Sequence, residues 1–208
     1  MATQAQRMVT EQLRPHGVTD AGVLQAMADV PREEFVPLRL KGHAYEDRAL
    51  GIECGQTISQ PLVVALMTQA AAPQPGDVAL EVGAGSGYQA AVLSRLCLRV
   101  ITIEREPLLA EHAAATLKRL GYDNVEVILG DGSLGWAPSA PYPAILVACA
   151  ASEVPPALID QLADAGRLVI PVGTGPDQPQ DLRLYTRAAE DVTYRSLFPV
   201  LFVPLRTG

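Results

Sequence analysis

The chain has 208 residues, 49% of them hydrophobic and 19% charged, and carries a formal net charge of -7. That balance supports a globular core of one-domain size and excludes a disordered chain. The acidic excess argues against nucleic acid as a partner, since phosphate backbones demand clustered Lys and Arg.

Residues 1 to about 50 read as amphipathic helix. The opening MATQAQRMVTEQLRPHG has no apolar h-region, so no signal peptide is expected there. Met8, Val9 and Leu13 share one helical face. In VTDAGVLQAMADVP, Thr19 or Asp20 is placed to cap a helix bearing Val23, Leu24 and Met27, and Pro31 stops it. A polar stretch, GQTISQP, then precedes a helix expected from Gln60 to about Ala72, closed by the turn PQPGD.

From residue 78 the pattern changes. VALEVGAG, RVITIE, VEVILGDG, AILVACA and RLVIPVG read as strands. GYQAAVLSRLC, EPLLAEHAAATLKRLG (ended by Gly121) and PALIDQLADAG read as helices between them. Such alternation predicts an α/β fold, a mostly parallel doubly wound sheet with helices on both faces. DLRLYTRA and SLFPVLFVPL predict two further strands, paired as a hairpin at one edge. GTGPDQPQ, residues 173–180, is expected to be a mobile loop. No apolar run reaches the ~18 residues of a membrane span, so no membrane contact is expected. Cys54, Cys97 and Cys149 form no C-x-x-C pair, which reads as reduced thiols of a cytoplasmic protein. With three His in the chain, no metal centre is expected either.

In open α/β sheets, ligands bind outside the carboxyl ends of the strands, at the topological switch point. The first strand ends in EVGAGSGY, with Glu81, Gly83, Gly85 and Gly87. A glycine-rich turn alone is also what a plain tight strand-to-helix connection looks like. Here the spacing is G-x-G-x-G rather than the dinucleotide G-x-G-x-x-G, and Glu81 precedes it by two residues. The second strand ends in Glu104, placed to accept from ribose hydroxyls. The third ends in Asp131 and Gly132, at the edge where an adenine would lie. Three acids around one pocket repel a pyrophosphate and suit a cationic sulfonium nucleoside. S-adenosyl-L-methionine is therefore the expected cofactor, in preference to NAD.

VPREEFVP, GQTISQP, LEVGAGSGYQAAVLS, GYDNVEVILGDGSLGW, LVIPVG and FVPL, spread from about residue 8 to 205, resemble the protein-L-isoaspartate O-methyltransferase family. The resemblance implies a Rossmann-like class I methyltransferase fold with a helical N-terminal extension and an antiparallel C-terminal edge. On that basis residues 1–60 form the extension and the acceptor-side loop, and residues 61–208 the cofactor-binding core. It also implies methyl transfer to the α-carboxylate of L-isoaspartyl residues in damaged proteins and peptides, by a monomer. Ser59 matches the residue marked as the active site in that family, and Gln56, Thr57 and Ile58 would line the acceptor side. Two alternatives are a related carboxyl methyltransferase with another acceptor, and a protein that binds the cofactor without turnover.

Elementary chemistry agrees. A carboxylate with a pKa of about 3.5 is already ionised at neutral pH and needs no general base. Catalysis then consists of positioning and partial desolvation. Thr57, Ser59 and backbone N–H groups at the start of the Gln60 helix suit the holding of an anion. Ser59 is equally placed to do nothing more than cap that helix. Three residues depart from the family pattern: Gly51 for proline, Glu53 for glycine, and Pro143 for an aspartate near the cofactor pocket. Glu53 would be strained if its position required positive φ, and is expected to repel a carboxylate substrate.

Overall fold

The structure is a computed structural model that describes residues 2–174 and 178–208. Thr3 opens α1 (Gln4–Arg7) through a capping box with Gln6. A π-helical stretch, Met8–Leu13, and a 3-10 turn, Arg14–His16, follow. Met8, Val9 and Leu13 are buried, as their spacing predicts. Asp20, rather than Thr19, caps α2 (Ala21–Asp29), accepting from the Val23 N–H at 2.9 Å. Two 3-10 turns, Arg32–Phe35 and Leu38–His43, carry the chain onward. The helical region expected up to residue 50 is thus broken into short pieces. Pro31 and Pro37 each precede one of these turns, where a fixed φ and a missing N–H end regular helix.

Two short strands, β1 (Leu50–Gly51) and β2 (Thr57–Ile58), pair antiparallel as a ribbon before α3 (Pro61–Ala71). The core then runs β3 (Val78–Val82), α4 (Tyr88–Ser94), β4 (Arg99–Glu104), α5 (Pro107–Arg119), β5 (Val125–Leu129), β6 (Tyr142–Val147), α6 (Pro156–Asp160), β7 (Leu162–Val172), β8 (Gln180–Ala188) and β9 (Asp191–Val200). These seven strands form one sheet in the order β5-β4-β3-β6-β7-β8-β9. The pairs from β5 to β7 are parallel, and β8 and β9 add an antiparallel edge.

Period-2 alternation divides the core between two faces. Ala79, Val100, Ala144, Leu146 and Val169 join α2, α3, α4 and α5 in one cluster, together with Met8, Leu13 and Met27 of the N-terminal segment. Leu80, Val82, Ile101, Ile103, Ile145 and Val147 point the other way, against Leu158 of α6 and Trp136. Each fully buried Leu, Ile or Val stabilises the fold by about 1.5–3 kcal/mol relative to exposure.

Two boundaries differ from expectation. The helix read across PALIDQLADAG stops at Asp160, and Leu162 already belongs to β7. Ala165 sits at φ 56°, and a Cβ on Gly166 would lie 2.7 Å from the Ala163 carbonyl oxygen, so the segment kinks as no helix can. The last strand begins at Asp191 rather than Ser196, because the hairpin turns at Ala189, φ 53°. Of the expected loop at 173–180, residues 175–177 lie outside the described residues. Among the described residues, no helix is long and apolar enough to cross a membrane.

Candidate cofactor and acceptor site

The chain leaves β3 for β4 and β5 on one side and returns to β6 on the other, so the switch point lies between β3 and β6. Gly83, Gly85 and Gly87 turn the chain there at φ 91°, 52° and 86°, the left-handed region that L side chains rarely adopt. The N–H groups of Gly83 and Ala84 both donate to the Ile103 carbonyl, at 2.8 and 3.2 Å. At Gly87 a Cβ would stand 3.2 Å from Leu117 Cδ1, so this glycine also lets α4 close on α5.

Glu104 braces this turn. Its Oε2 accepts from the Gly85 N–H at 2.8 Å, and its Oε1 accepts from the N–H groups of Arg105 and Glu106 at 2.8 and 3.0 Å. A carboxylate has about four lone-pair sites, so capacity remains toward the cleft. Gly132 lines the same cleft. Its Cβ would fall 2.3 Å from Val82 Cγ1, so only a glycine allows the third strand's end this close to the first. Asp131 is otherwise engaged: Oδ1 accepts from the Ser133 N–H at 2.9 Å and hydroxyl at 2.7 Å, and Oδ2 from the Gly208 N–H at 2.9 Å. Burial pushes the Asp131 carboxyl up, but these hydrogen bonds outweigh it and hold the group below its ordinary range.

Glu81 differs from the other acids. It is 0% exposed, and neither carboxylate oxygen has a hydrogen-bond partner among the described residues. Burial pushes its carboxyl up to about 8, and the charge of Glu104 adds to the effect. It lines a recess beneath the glycine turn, shared with Thr57, Ile58 and Ser59 of the acceptor loop and Tyr88 and Gln89 of α4. A buried carboxyl without a partner beside a glycine cradle fits a cationic ligand, whose charge would favour the ionised form.

On the acceptor side, Gln56 and Thr57 line the main cleft with Glu104, whereas Ile58 and Ser59 line the recess and not that cleft. The cap of α3 comes from elsewhere. Asp47 Oδ1 accepts from the Leu62 N–H at 3.1 Å and Oδ2 from the Gln60 amide at 2.8 Å. Ser59 is therefore not that helix's cap, and the anion-favouring end of α3 already has its carboxylate. The Ser59 carbonyl accepts from the buried Arg32 at 2.6 Å.

The structure places the three departures, with Gly51 exposed in β1. Glu53 does not carry the positive φ; Cys54 (φ 56°) and Gly55 (φ 67°) do. Glu53 lines a hollow with Glu34 and His112 that meets the Ser59 recess at Gly85 and Ser86, and Glu53 itself does not line the recess. Pro143 sits at the start of β6, the end of that strand away from Ala148 and the cleft, so no acid is lost near the pocket. Three features escaped the sequence reading. Arg105 and Glu106 join the cleft wall immediately after Glu104, and Val203–Arg206 cross the strand ends to close it. FVPL signalled that tail without saying where it lies. No group of His, Cys, Asp or Glu among the described residues is arranged to hold a metal.

A central parallel sheet, a three-glycine turn at its switch point and an acid ending the second strand define a class I S-adenosylmethionine-dependent methyltransferase. Within that class, residues 3–208 match the model of the family described as Protein-L-isoaspartate(D-aspartate) O-methyltransferase (PCMT), and the chain belongs to that family. It is 50% identical to a protein-L-isoaspartate O-methyltransferase of Protochlamydia amoebophila, over 95% of this chain and 94% of the relative. It is 51% identical to one of Gloeobacter violaceus, over 95% and 96%. Among solved structures, one of a protein-L-isoaspartate O-methyltransferase superposes with a TM-score of 0.87 at 29% identity, covering 98% of this chain and 66% of that one. A structure from Plasmodium falciparum, assigned to the same activity and in complex with S-adenosyl-L-homocysteine, gives 0.84 at 28% identity over 99% of both chains.

Proposed function

We propose that the protein moves a methyl group from S-adenosyl-L-methionine to the α-carboxylate of L-isoaspartyl residues in damaged proteins and peptides, the first step of their repair. One observation carries this reading. The cleft at the glycine turn and the recess holding Ser59 share Thr57, Gly83, Gly85 and Ala148, and the recess shares Thr57, Ser59 and Phe202 with an apolar groove of about 540 Å³ open to the surface. Donor and acceptor would thus meet where Thr57 stands, and an extended chain has a route in.

When bound, the cofactor supplies an electrophilic methyl group on a sulfonium. Gly83, Gly85 and Gly87 would shape its seat, Glu104 would accept from ribose hydroxyls, and Asp131 and Gly132 would form the adenine end. The sulfonium charge would favour the ionised form of Glu81, which would then balance it. Gln56, Thr57 and Ile58 would line the acceptor, with the Ser59 hydroxyl donating to one carboxylate oxygen and leaving the other free to attack. Val64, Met67 and Phe202 line the recess and would keep water from it. The acceptor is already an anion, so no residue has to take a proton. We further propose a cytoplasmic monomer without nucleic-acid or membrane partners, in which residues 1–60 serve the acceptor and 61–208 the cofactor.

The test is methyl transfer to matched isoaspartyl and aspartyl peptides. In the isoaspartyl form the free carboxylate stands one carbon closer to the main chain. A misplacement of about 1 Å costs about 10²-fold in rate, so strong preference for the isoaspartyl peptide is expected. The ester should then lose methanol as the next backbone nitrogen closes a succinimide. Counting volatile methanol from labelled cofactor measures both; equal labelling of the two peptides overturns the assignment.

A further inference from the structure

Arg32 belongs to VPREEFVP, a motif to which the proposed chemistry gives no task. It lies at the start of a 3-10 turn in the N-terminal segment, yet it is 0% exposed. A buried cation is costly unless it is paired. Among the described residues Arg32 makes no ion pair, and its Nη1 has no hydrogen-bond partner. Burial lowers its pKa, with Tyr88, Tyr45 and Asp47 offsetting part of the effect. A leucine would spare that cost but leave two carbonyls without their donor.

Arg32 makes two hydrogen bonds. Nε donates to the Ala44 carbonyl at 2.7 Å, and Nη2 donates to the Ser59 carbonyl at 2.6 Å. These carbonyls lie on either side of the β1–β2 ribbon, one before it and one at its exit. The guanidinium also lies over the ring of Tyr88, 4.7 Å from its centroid. Tyr88 is the first residue of α4, directly after Gly87 of the cofactor turn. One rigid planar group therefore touches both sides of the gap that a methyl group would cross. The turn itself needs no help from Arg32, since Gly83, Ala84 and Gly85 are held by Ile103 and Glu104.

We propose that Arg32 is a positioning residue for methyl transfer: by fixing the Ser59 carbonyl against Tyr88 it sets the distance and direction of the Ser59 hydroxyl relative to the cofactor turn. This rests on Ser59 being the residue that holds the acceptor. A lysine keeps the charge but cannot reach both carbonyls with one flat fork.

The experiment compares Arg32→Lys, Arg32→Met, Ser59→Ala and the Arg32→Lys/Ser59→Ala double variant, well below their melting temperatures, with an isoaspartyl peptide. Arg32→Lys should lower kcat about 10²-fold, while calorimetric affinity for S-adenosylmethionine changes by less than about 3-fold. The double variant should be no slower than the slower single variant, because both changes break one arrangement. Multiplying losses, or full kcat with only a lowered Tm, overturns the proposal. If Ser59→Ala alone keeps full activity, the acceptor reading of Ser59 fails instead, and with it the basis for Arg32. Hydrogen exchange gives a readout free of activity. Amides 56–59 of the wild type should exchange as slowly as those of the sheet, and Arg32→Lys should speed them at least about 10-fold. Fast exchange at these amides in the wild type overturns the proposal even if neither Arg32 variant folds.

Discussion

A carboxyl group with a pKa of about 8 and no hydrogen-bond partner makes Glu81 the site's most pH-sensitive residue. The unfolded chain holds the same group at its ordinary value, 4.5. Between these values the folded state keeps a proton that the unfolded state has lost. The contribution to stability is therefore complete below pH 4.5 and declines as pH rises toward 8, by up to about 1.4 kcal/mol per unit. Glu81→Gln should remove that slope. Melts at pH 5 and pH 8 check it: the variant should gain on the wild type at the higher pH, and parallel curves would show that Glu81 is ionised throughout. Glu104 acts through three accepted hydrogen bonds. Beyond these, Glu104→Ala should weaken cofactor binding by about 1.5–3 kcal/mol for each ribose hydroxyl bond to the charged group that is lost, measured by calorimetric titration. Ser59→Ala should lower kcat/KM for the acceptor with cofactor affinity intact. Since Asp47 caps α3, no cap energy is at stake, and an unchanged Tm is expected alongside the kinetic loss.

At the scale of elements, the parts that could be read from sequence are those with a local cause. The strands and helices from Val78 to Val147 follow short apolar runs and helical spacing, and all three loop glycines stand at positive φ because the turn admits nothing else. The helix expected across Pro156–Gly166 failed because pairing with β6 overrode a helical composition. The Tyr142 N–H donates to the Gln161 carbonyl at 2.8 Å, which draws the chain into β7. The site's supports were invisible for a different reason: they act across long stretches of chain. Arg32 and Ser59 are 27 residues apart, and Asp47 and Leu62 are 15 apart, so no local pattern marks either pair. Gly132 lies between these cases. Its neighbours in GDG hinted at a ligand contact, whereas the structure shows a steric need at β3. Gly132→Ala should cost about 1–3 kcal/mol as Val82 is driven aside. Denaturant unfolding measures this, and a stability loss without a change in S-adenosylmethionine affinity would mark the glycine as packing.

Across the whole molecule, the two ends of the chain close the site from opposite sides. The N-terminal segment reaches it through Arg32 at Ser59 and Tyr88, and the C-terminal tail lines the cleft beside Ala150. The tail is held in two ways. Val203 and Leu205 bond both ways with Ala150, the Ala150 N–H donating to Val203 at 2.8 Å and the Leu205 N–H to Ala150 at 2.7 Å. Beyond them, Arg206 pairs with Glu106 at 2.6 Å, and Arg105 reaches the Gly208 carbonyl. The outer contacts are half exposed, and exposed ion pairs are worth about 0–1 kcal/mol each. Removing Arg206–Gly208 should therefore weaken S-adenosylmethionine binding by no more than about 10-fold, with the deficit shrinking in high salt as the lost pairing is screened. Removing residues 202–208 takes away Phe202, the backbone bonds to Ala150 and the apolar wall, and should abolish measurable binding. Calorimetric titration of both truncations at low and high ionic strength separates the two layers. If the longer truncation binds like the wild type, the tail is no part of the cofactor's enclosure, and the cleft is complete with the glycine turn and the ends of β3, β4 and β6 alone.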